Sequence, residues 1–95
     1  MENKYKNILI DIIHEKLPGC KIYLFGSRAR GTHKSGADID LALDIGKPIG
    51  LKFICFMQNK IDETNLPLLV DLVDLHTASE KLRKEIINEG VLWLK

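Results

Sequence analysis

The chain has 95 residues, 45% of them hydrophobic and 28% charged, with a formal net charge of +1, which predicts one domain over residues 1–95 with a small core. The near balance of charge makes a nucleic-acid partner unexpected, because proteins that grip long DNA or RNA usually show a clear basic excess. The longest apolar run falls well short of the roughly 20 residues that span a membrane, and residues 1–5 do not lead into a signal-peptide core, so we expect a cytoplasmic protein with no membrane partner.

The first half of the sequence predicts a helix, a strand, a short helix and a second strand. A helix over residues 2–17 is indicated by apolar side chains at the spacing i, i+3, i+4, i+7 and i+8, namely Tyr5, Ile8, Leu9, Ile12 and Ile13. Residues 20–25 predict a strand and residues 27–31 a short helix. Residues 38–45 predict the second strand, which follows a polar loop.

The second half of the sequence predicts two more helices around a third strand. Residues 51–61 predict a helix with a broad buried face that includes Phe53 and Phe56. Residues 68–75 predict the third strand, and residues 77–80, Thr-Ala-Ser-Glu, have the pattern of a capping box that starts a helix ending near Gly90. Residues 91–95 form either a last strand or a helical extension. Cys20 and Cys55 lie in apolar stretches and are predicted to be reduced thiols of the core.

This order of elements, α-β-α-β-α-β-α, predicts an α/β (α+β) fold. A small mixed β-sheet would have helices packed on one face. The other face would then be free to carry a functional site.

A glycine-serine pair ends the first strand and opens the short helix. Gly26 can turn sharply because it has no side chain, and the Ser27 hydroxyl and nearby backbone N–H groups would point at one spot, where a phosphate could bind. Arg28 and Arg30 could add positive charge beside that phosphate. The plainer interpretation is a strand-to-helix turn with Ser27 as the N-cap and both arginines in solvent.

Two aspartates open the second strand two residues apart. Side chains alternate along a strand, so Asp38 and Asp40 project from the same side. Two carboxylates held this close repel each other unless a cation lies between them, and Mg²⁺ prefers such oxygen ligands. A metal site needs a further ligand, and the third strand offers Asp71 and Asp74, which point to opposite faces, so that at most one of them can join.

These residues together resemble the signature of the nucleotidyltransferase superfamily related to DNA polymerase β, and most closely its minimal nucleotidyltransferases. The resemblance rests on Gly26-Ser27, Arg28, Arg30-Gly31 and Asp38-Ile39-Asp40-Leu41, and it covers residues 20–95. It implies a polymerase β-like fold in which Gly26, Ser27, Arg28 and Arg30 bind the nucleotide. The family pattern places the third aspartate after an apolar residue near the strand start, which favours Asp71 over Asp74 as the third catalytic and metal-binding residue beside Asp38 and Asp40.

The resemblance also implies an activity. The smallest family members are antitoxins that transfer AMP from ATP to a tyrosine of a HEPN-domain toxin, with Mg²⁺, two ions in the fullest case, at the aspartates. The expected partners are therefore a nucleoside triphosphate and a HEPN-domain protein, in a hetero-complex or alongside a homodimer. The alternative is a non-catalytic nucleotide-binding or protein-binding subunit that neutralises its partner by contact.

Overall fold

The helices and strands follow the predicted order. A computed structural model describes residues 3–93, and its elements are α1 (Asn3–Lys16), β1 (Lys21–Phe25), α2 (Ser27–Arg30), β2 (Ile39–Asp44), α3 (Leu51–Asp62), β3 (Val70–Asp74), α4 (Glu80–Glu89) and β4 (Val91–Leu92). Residues 91–95 were predicted to be either a strand or a helical extension, and residues 91–92 form a short strand. Residue 2 of the first predicted helix and residues 94–95 of the tail lie outside the described part of the chain.

The strands form one mixed sheet in the order β3-β2-β1-β4, which confirms the predicted fold class. β1 runs antiparallel to β2, with Phe25 opposite Asp40, and antiparallel to β4. β2 and β3 are parallel, with Asp40 opposite Asp71. Parallel neighbours need a long crossover connection, and α3 supplies it.

One face of the sheet, here the core face, carries most of the hydrophobic core. Ile39, Leu41 and Leu43 of β2 are fully buried there, packed in one cluster with side chains of α1 and α3 that include Leu9 and Met57. The packing of α1 and α3 on this face agrees with the prediction that helices cover one face of the sheet. Because side chains alternate along β2, the remaining side chains of that strand project from the opposite face.

The opposite face, here the site face, is the side from which Asp40, Ala42 and Asp44 project. α4 packs on it, because Ile86 forms a small buried cluster with Phe25 and Ala42. The sequence predicted that no helix would pack on this face, so the position of α4 differs from that prediction. Asp40 is half-buried and Asp71 is exposed, so the carboxylate end of the site face remains accessible.

Two predicted details of the helices were wrong. In α1 the buried side chains include Ile10, whereas Ile8 of the predicted stripe is 40% exposed, because the helix is rotated slightly from the phase of the stripe. α4 begins later than predicted: the Ser79 hydroxyl, rather than that of Thr77, caps it by accepting a hydrogen bond from the Leu82 N–H at 3.2 Å. Thr77 lies in the preceding turn.

The predicted broad buried face of α3 was also wrong. Its buried side chains are Met57 and Ile61, whereas Phe53 and Phe56 are 39% and 43% exposed. A helix that lies on one face of a sheet buries a single stripe, and the aromatic residues fall beside it. Cys55 is exposed on the same helix, so it is not the core thiol that was predicted.

Cys20 is buried as predicted, and burial raises the pKa of its thiol to about 11. A thiol with that pKa is protonated at neutral pH and is a poor nucleophile. Within residues 3–93, no helix has the length and hydropathy of a membrane span.

Candidate active site

The register between β2 and β3 brings two of the predicted aspartates together. Asp40 and Asp71 are directly opposite each other on parallel neighbouring strands, and both lie on the site face. Asp38 lies one residue before β2, exposed, with the same parity as Asp40. Side chains opposite each other on adjacent strands are close neighbours, so the register of the sheet keeps Asp40 and Asp71 close together.

Charge and burial act together on Asp40. Its pKa is raised above the usual value, first by burial and then by the negative charges of Asp71, Asp38 and Glu85, while Arg30 opposes the shift. Asp40 is therefore a half-buried carboxyl with three other carboxylates near it. Ionising it there is unfavourable, and a bound cation would relieve the repulsion.

Gly26 lies against Asp40 and must be a glycine. Its φ is +76°, and a Cβ atom built on it would lie 2.6 Å from Oδ2 of Asp40. A side chain at this position would therefore collide with the carboxylate and also strain the backbone. The bend between β1 and α2 thus lies against Asp40, and Ser27 follows it directly as the first residue of α2.

Arg28 links the short helix to the loop that precedes β2. Its Nε donates a hydrogen bond of 2.9 Å to the carbonyl oxygen of Ala37, the residue before Asp38. This contact holds the start of β2 against α2. The Nε atom of Arg28 is therefore committed to the protein itself, and only the terminal nitrogens of the guanidinium are left to meet a phosphate.

Arg30 turns toward α4 rather than toward open solvent. Its Nη1 lies 3.0 Å from Oε2 of Glu89 and 3.6 Å from Oε1 of Glu85. The three side chains are each about 40% exposed, so water screens these pairs and each contributes about 0–1 kcal/mol to stability. The pairs nevertheless fix where the positive charge sits, between α4 and Asp40.

Glu85 is a neighbour of the site that the sequence did not reveal. It lies on α4, 45 positions after Asp40 in the chain, and comes near because the adjacent Ile86 is buried against Phe25. The only signal for it in the sequence is its position beside a buried residue of an amphipathic helix. Without knowing that α4 packs on the site face, that signal cannot be assigned to a carboxylate cluster.

The donor set suits a hard divalent cation. Carboxylate oxygens are the protein ligands that Mg²⁺ prefers, and the aspartates supply them from two adjacent strands. Among the described residues, no three Asp, Glu, His or Cys side chains are already grouped as a finished metal site. Like charges keep such side chains apart, and a cation would draw them together on backbone positions that the sheet has already fixed.

Asp74 belongs to the core face and has a structural role. It is 8% exposed, its Oδ2 accepts a hydrogen bond of 2.8 Å from the buried Ile49 N–H, and its Oδ1 accepts one of 3.1 Å from the His76 N–H. Asp74 is therefore a buried carboxylate that accepts two backbone hydrogen bonds. Its position on the opposite face from Asp40 removes it as a candidate for the third ligand.

Asp74→Ala should destabilise the protein by about 1–3 kcal/mol, because the buried Ile49 N–H would lose its acceptor. Urea unfolding followed by circular dichroism measures this. Asp62→Ala is the matched control, since Asp62 is exposed and makes only a 3.4 Å contact with Gln58, and it should change stability by less than about 0.5 kcal/mol. Equal stability of the two variants would contradict the role assigned to Asp74.

Comparison with known proteins places this geometry in a family. The family model described as "Polymerase beta, Nucleotidyltransferase" matches residues 7–95. The chain is 33% identical over 79 residues to a probable protein adenylyltransferase MntA of Haemophilus influenzae, an alignment that covers 83% of this chain and 69% of that protein.

Two solved structures are similar to the fold. A crystal structure of a toxin-antitoxin with AMP-PNP is 31% identical with a TM-score of 0.77, over 94% of this chain and 73% of that one. A structure of a tri-AMPylated Shewanella oneidensis HEPN toxin in complex with MNT antitoxin matches at 28% identity and a TM-score of 0.75, over 100% of this chain and 74% of that one. With its mixed sheet, its Gly-Ser bend and its paired aspartates, the chain belongs to the polymerase β nucleotidyltransferase family.

Proposed function

We propose that this chain, as a single domain over residues 1–95, is an Mg²⁺-dependent protein adenylyltransferase of the cytoplasm. It transfers AMP from ATP to a tyrosine of a partner HEPN-domain toxin and thereby acts as the antitoxin. The observation that carries the proposal is the facing pair Asp40 and Asp71 beside the Gly26 bend. The acceptor is suggested by the similar complex that contains an AMPylated HEPN toxin.

Asp38, Asp40 and Asp71 would hold Mg²⁺, with two ions as the fullest occupancy. When bound, Mg²⁺ supplies charge neutralisation for the triphosphate and for the pyrophosphate that leaves. Asp40 is the central ligand in this assignment, because the charges of Asp38 and Asp71 both act on it.

The nucleotide would lie against the bend. Gly26 lets a phosphate approach the backbone, and Ser27 offers a hydroxyl and an N–H group as donors. The terminal nitrogens of Arg28 and Arg30 would face the phosphates, and for Arg30 this requires sharing the guanidinium with Glu85 and Glu89. Arg30 is thus the weaker of the two assigned phosphate contacts.

The transfer itself is an in-line displacement at the α-phosphorus. The acceptor oxygen forms a bond to that phosphorus, the bond to the bridging oxygen breaks, and pyrophosphate leaves. Asp71, which is exposed, would take the proton of the acceptor hydroxyl. The product is a phosphodiester between the acceptor and adenosine.

Transfer of label tests the proposal. The chain is incubated with α-labelled ATP, Mg²⁺ and a purified HEPN-domain protein, and label on the HEPN protein is measured. The wild-type chain should label it, Asp38→Asn should lose about 10³-fold in rate, and the exposed control Asp62→Asn should retain the wild-type rate.

The alternative of a non-catalytic subunit predicts a different result. It predicts a tight complex with the HEPN protein, unchanged in Asp38→Asn and Asp40→Asn, and no transferred label. Tight binding without label in the wild-type chain would therefore overturn the enzymatic proposal and support neutralisation by contact.

A further inference from the structure

Two partly exposed phenylalanines on the outer side of α3 have lysine ammonium groups over their rings. Phe53 and Phe56 are 39% and 43% exposed. Lys16 at the end of α1 places its Nζ 4.4 Å from the ring centre of Phe56 and 5.4 Å from that of Phe53. Lys60 lies 5.8 Å from the ring centre of Phe56. We call these four residues, with Lys52, the lysine–phenylalanine patch.

A concavity lies on each side of Phe56. One, of about 220 Å³, lies between α1 and α3 and is lined by Ile12, Glu15, Lys16, Phe56 and Lys60. The other, of about 300 Å³, lies along α3 and is lined by Lys16, Lys52, Phe53, Cys55, Phe56 and Asn59. The surface therefore has two adjacent hollows with aromatic walls, each of a size that takes an apolar side chain.

The charge around these hollows is mostly positive. Three lysines line them against one carboxylate, that of Glu15, although the whole chain has a net charge of only +1. Large exposed aromatic side chains beside a charged rim mark interaction surfaces more often than scattered apolar residues do. A partner with apolar side chains flanked by carboxylates would complement both the hollows and their rim.

We propose that the lysine–phenylalanine patch is a docking surface for an acidic amphipathic helix of a partner protein. Apolar side chains at the spacing i and i+4 would enter the two hollows on either side of Phe56, and neighbouring Asp or Glu side chains would pair with Lys16, Lys52 and Lys60. The patch lies on the helices of the core face, away from Asp40 and Asp71 on the site face. Docking there leaves the site open, and under the proposed function the partner is the AMP acceptor.

A membrane surface is the competing occupant, because lysines and aromatic residues also bind anionic lipids. The shape of the patch favours a protein. Its aromatic rings line hollows that receive side chains, and Glu15 at the rim would face the lipid phosphates unfavourably. Anionic vesicles therefore serve as the discriminating arm of the test.

The first experiment needs no acceptor. The full chain is titrated with an 18-residue Ala-based helical peptide that has Leu at positions i, i+3, i+4 and i+7 and four Glu beside them, with the same peptide carrying Lys for Glu, and with vesicles of phosphatidylserine. The Glu peptide should bind at least about tenfold more tightly than the Lys peptide. Phe56→Ser and Lys16→Glu should each weaken its binding by about tenfold, and the exposed controls Ile87→Ser on α4 and Lys47→Glu should leave it unchanged.

A Glu peptide that binds no better than the Lys peptide, or binding that survives in both patch variants, would overturn the proposal, as would binding of the vesicles in preference to the peptide. Lys16→Glu keeps the result interpretable if Phe56→Ser proves unstable in a thermal melt, since it alters an exposed side chain at the end of α1.

The second experiment uses a HEPN-domain protein as the AMP acceptor. Both patch variants should raise KM for the acceptor about tenfold while kcat and KM for ATP stay at wild-type values. Wild-type KM in both variants would overturn the docking proposal and leave the proposed function intact. If the wild-type chain transfers no AMP, the proposed function fails, and the peptide titration alone decides the docking surface.

Discussion

Asp40→Asn should lower kcat/KM for AMP transfer by about 10³-fold while leaving the metal-free protein at least as stable as wild type. The loss of rate follows from removing the central carboxylate of the proposed metal site. The stability result follows from the raised pKa of Asp40, because its ionised form is disfavoured in the folded protein by burial and by Asp71, Asp38 and Glu85. Replacing it by a neutral amide of similar shape removes that unfavourable charge.

The raised pKa of Asp40 also fixes how the folding stability should change with pH. The folded pKa of Asp40 lies above the unfolded one, so at neutral pH the carboxylate costs stability, and this cost disappears as the pH falls through the folded pKa toward the unfolded one. Thermal melts of the metal-free proteins should therefore show Asp40→Asn equal to or above wild type at pH 7, with the difference shrinking in acid.

Mg²⁺-ATP should make the wild-type chain more stable than Asp40→Asn. A ligand at 100 times its Kd stabilises the folded state by about 2.7 kcal/mol, which raises the melting temperature of the wild-type chain, and Asp40→Asn should lose most of this rise. Equal stabilisation of both proteins by Mg²⁺-ATP would show that the metal-bound nucleotide does not sit at Asp40. Asp62→Asn, which changes the exposed last residue of α3, provides the control for loss of a carboxylate elsewhere.

Gly26→Ala should impair both stability and catalysis. Gly46→Ala is the control for placing alanine at a positive φ away from Asp40. Both glycines have positive φ, +76° and +82°, but a Cβ at Gly26 would lie 2.6 Å from Oδ2 of Asp40, whereas nothing lies within 4 Å of one at Gly46. Gly46→Ala should therefore cost only the backbone strain, about 1 kcal/mol. Gly26→Ala should cost about 2–3 kcal/mol and reduce AMP transfer by at least about 10²-fold, because the Asp40 carboxylate must move.

Urea unfolding and the label-transfer assay measure the two quantities on the same preparations. The informative value is the transfer rate. Both variants place alanine at a positive φ, but Gly26 also has ψ −157°, a combination that essentially only glycine adopts, so its stability loss combines backbone strain with the contact to Asp40. If Gly26→Ala retained the transfer rate of Gly46→Ala, the contact between the bend and Asp40 would have no part in catalysis.

The sequence predicted the parts of the molecule that depend on local pattern. The strands and the Gly26 bend follow from alternation and glycine chemistry, and the influence of the Asp38 charge on Asp40 follows from their short spacing. The preference for Asp71 over Asp74 came from the family pattern, and the structure supplies its physical reason: their side chains lie on opposite faces of β3, and Asp74 is occupied by backbone N–H groups.

The remaining features depend on packing between distant elements. That Phe53 and Phe56 lie outside the buried stripe of α3 is set by where α1 and the sheet meet that helix, and hydrophobicity alone predicts the opposite. That Glu85 and Glu89 meet Arg30 is set by α4 crossing the site face. β4 is only two residues long, too short to carry a period-2 pattern of its own.

The register of β3 against β2 limits how the chain can tolerate insertions. A residue added within the loop at 63–69 would lengthen a connection and leave every side chain of β3 facing as before. A residue added between Val70 and Asp71 would reverse the facing of the strand that follows, turning Asp71 inward among aliphatic side chains and Asp74 outward. Length variation among functional versions of this domain should therefore be confined to the loop and absent from those five strand positions.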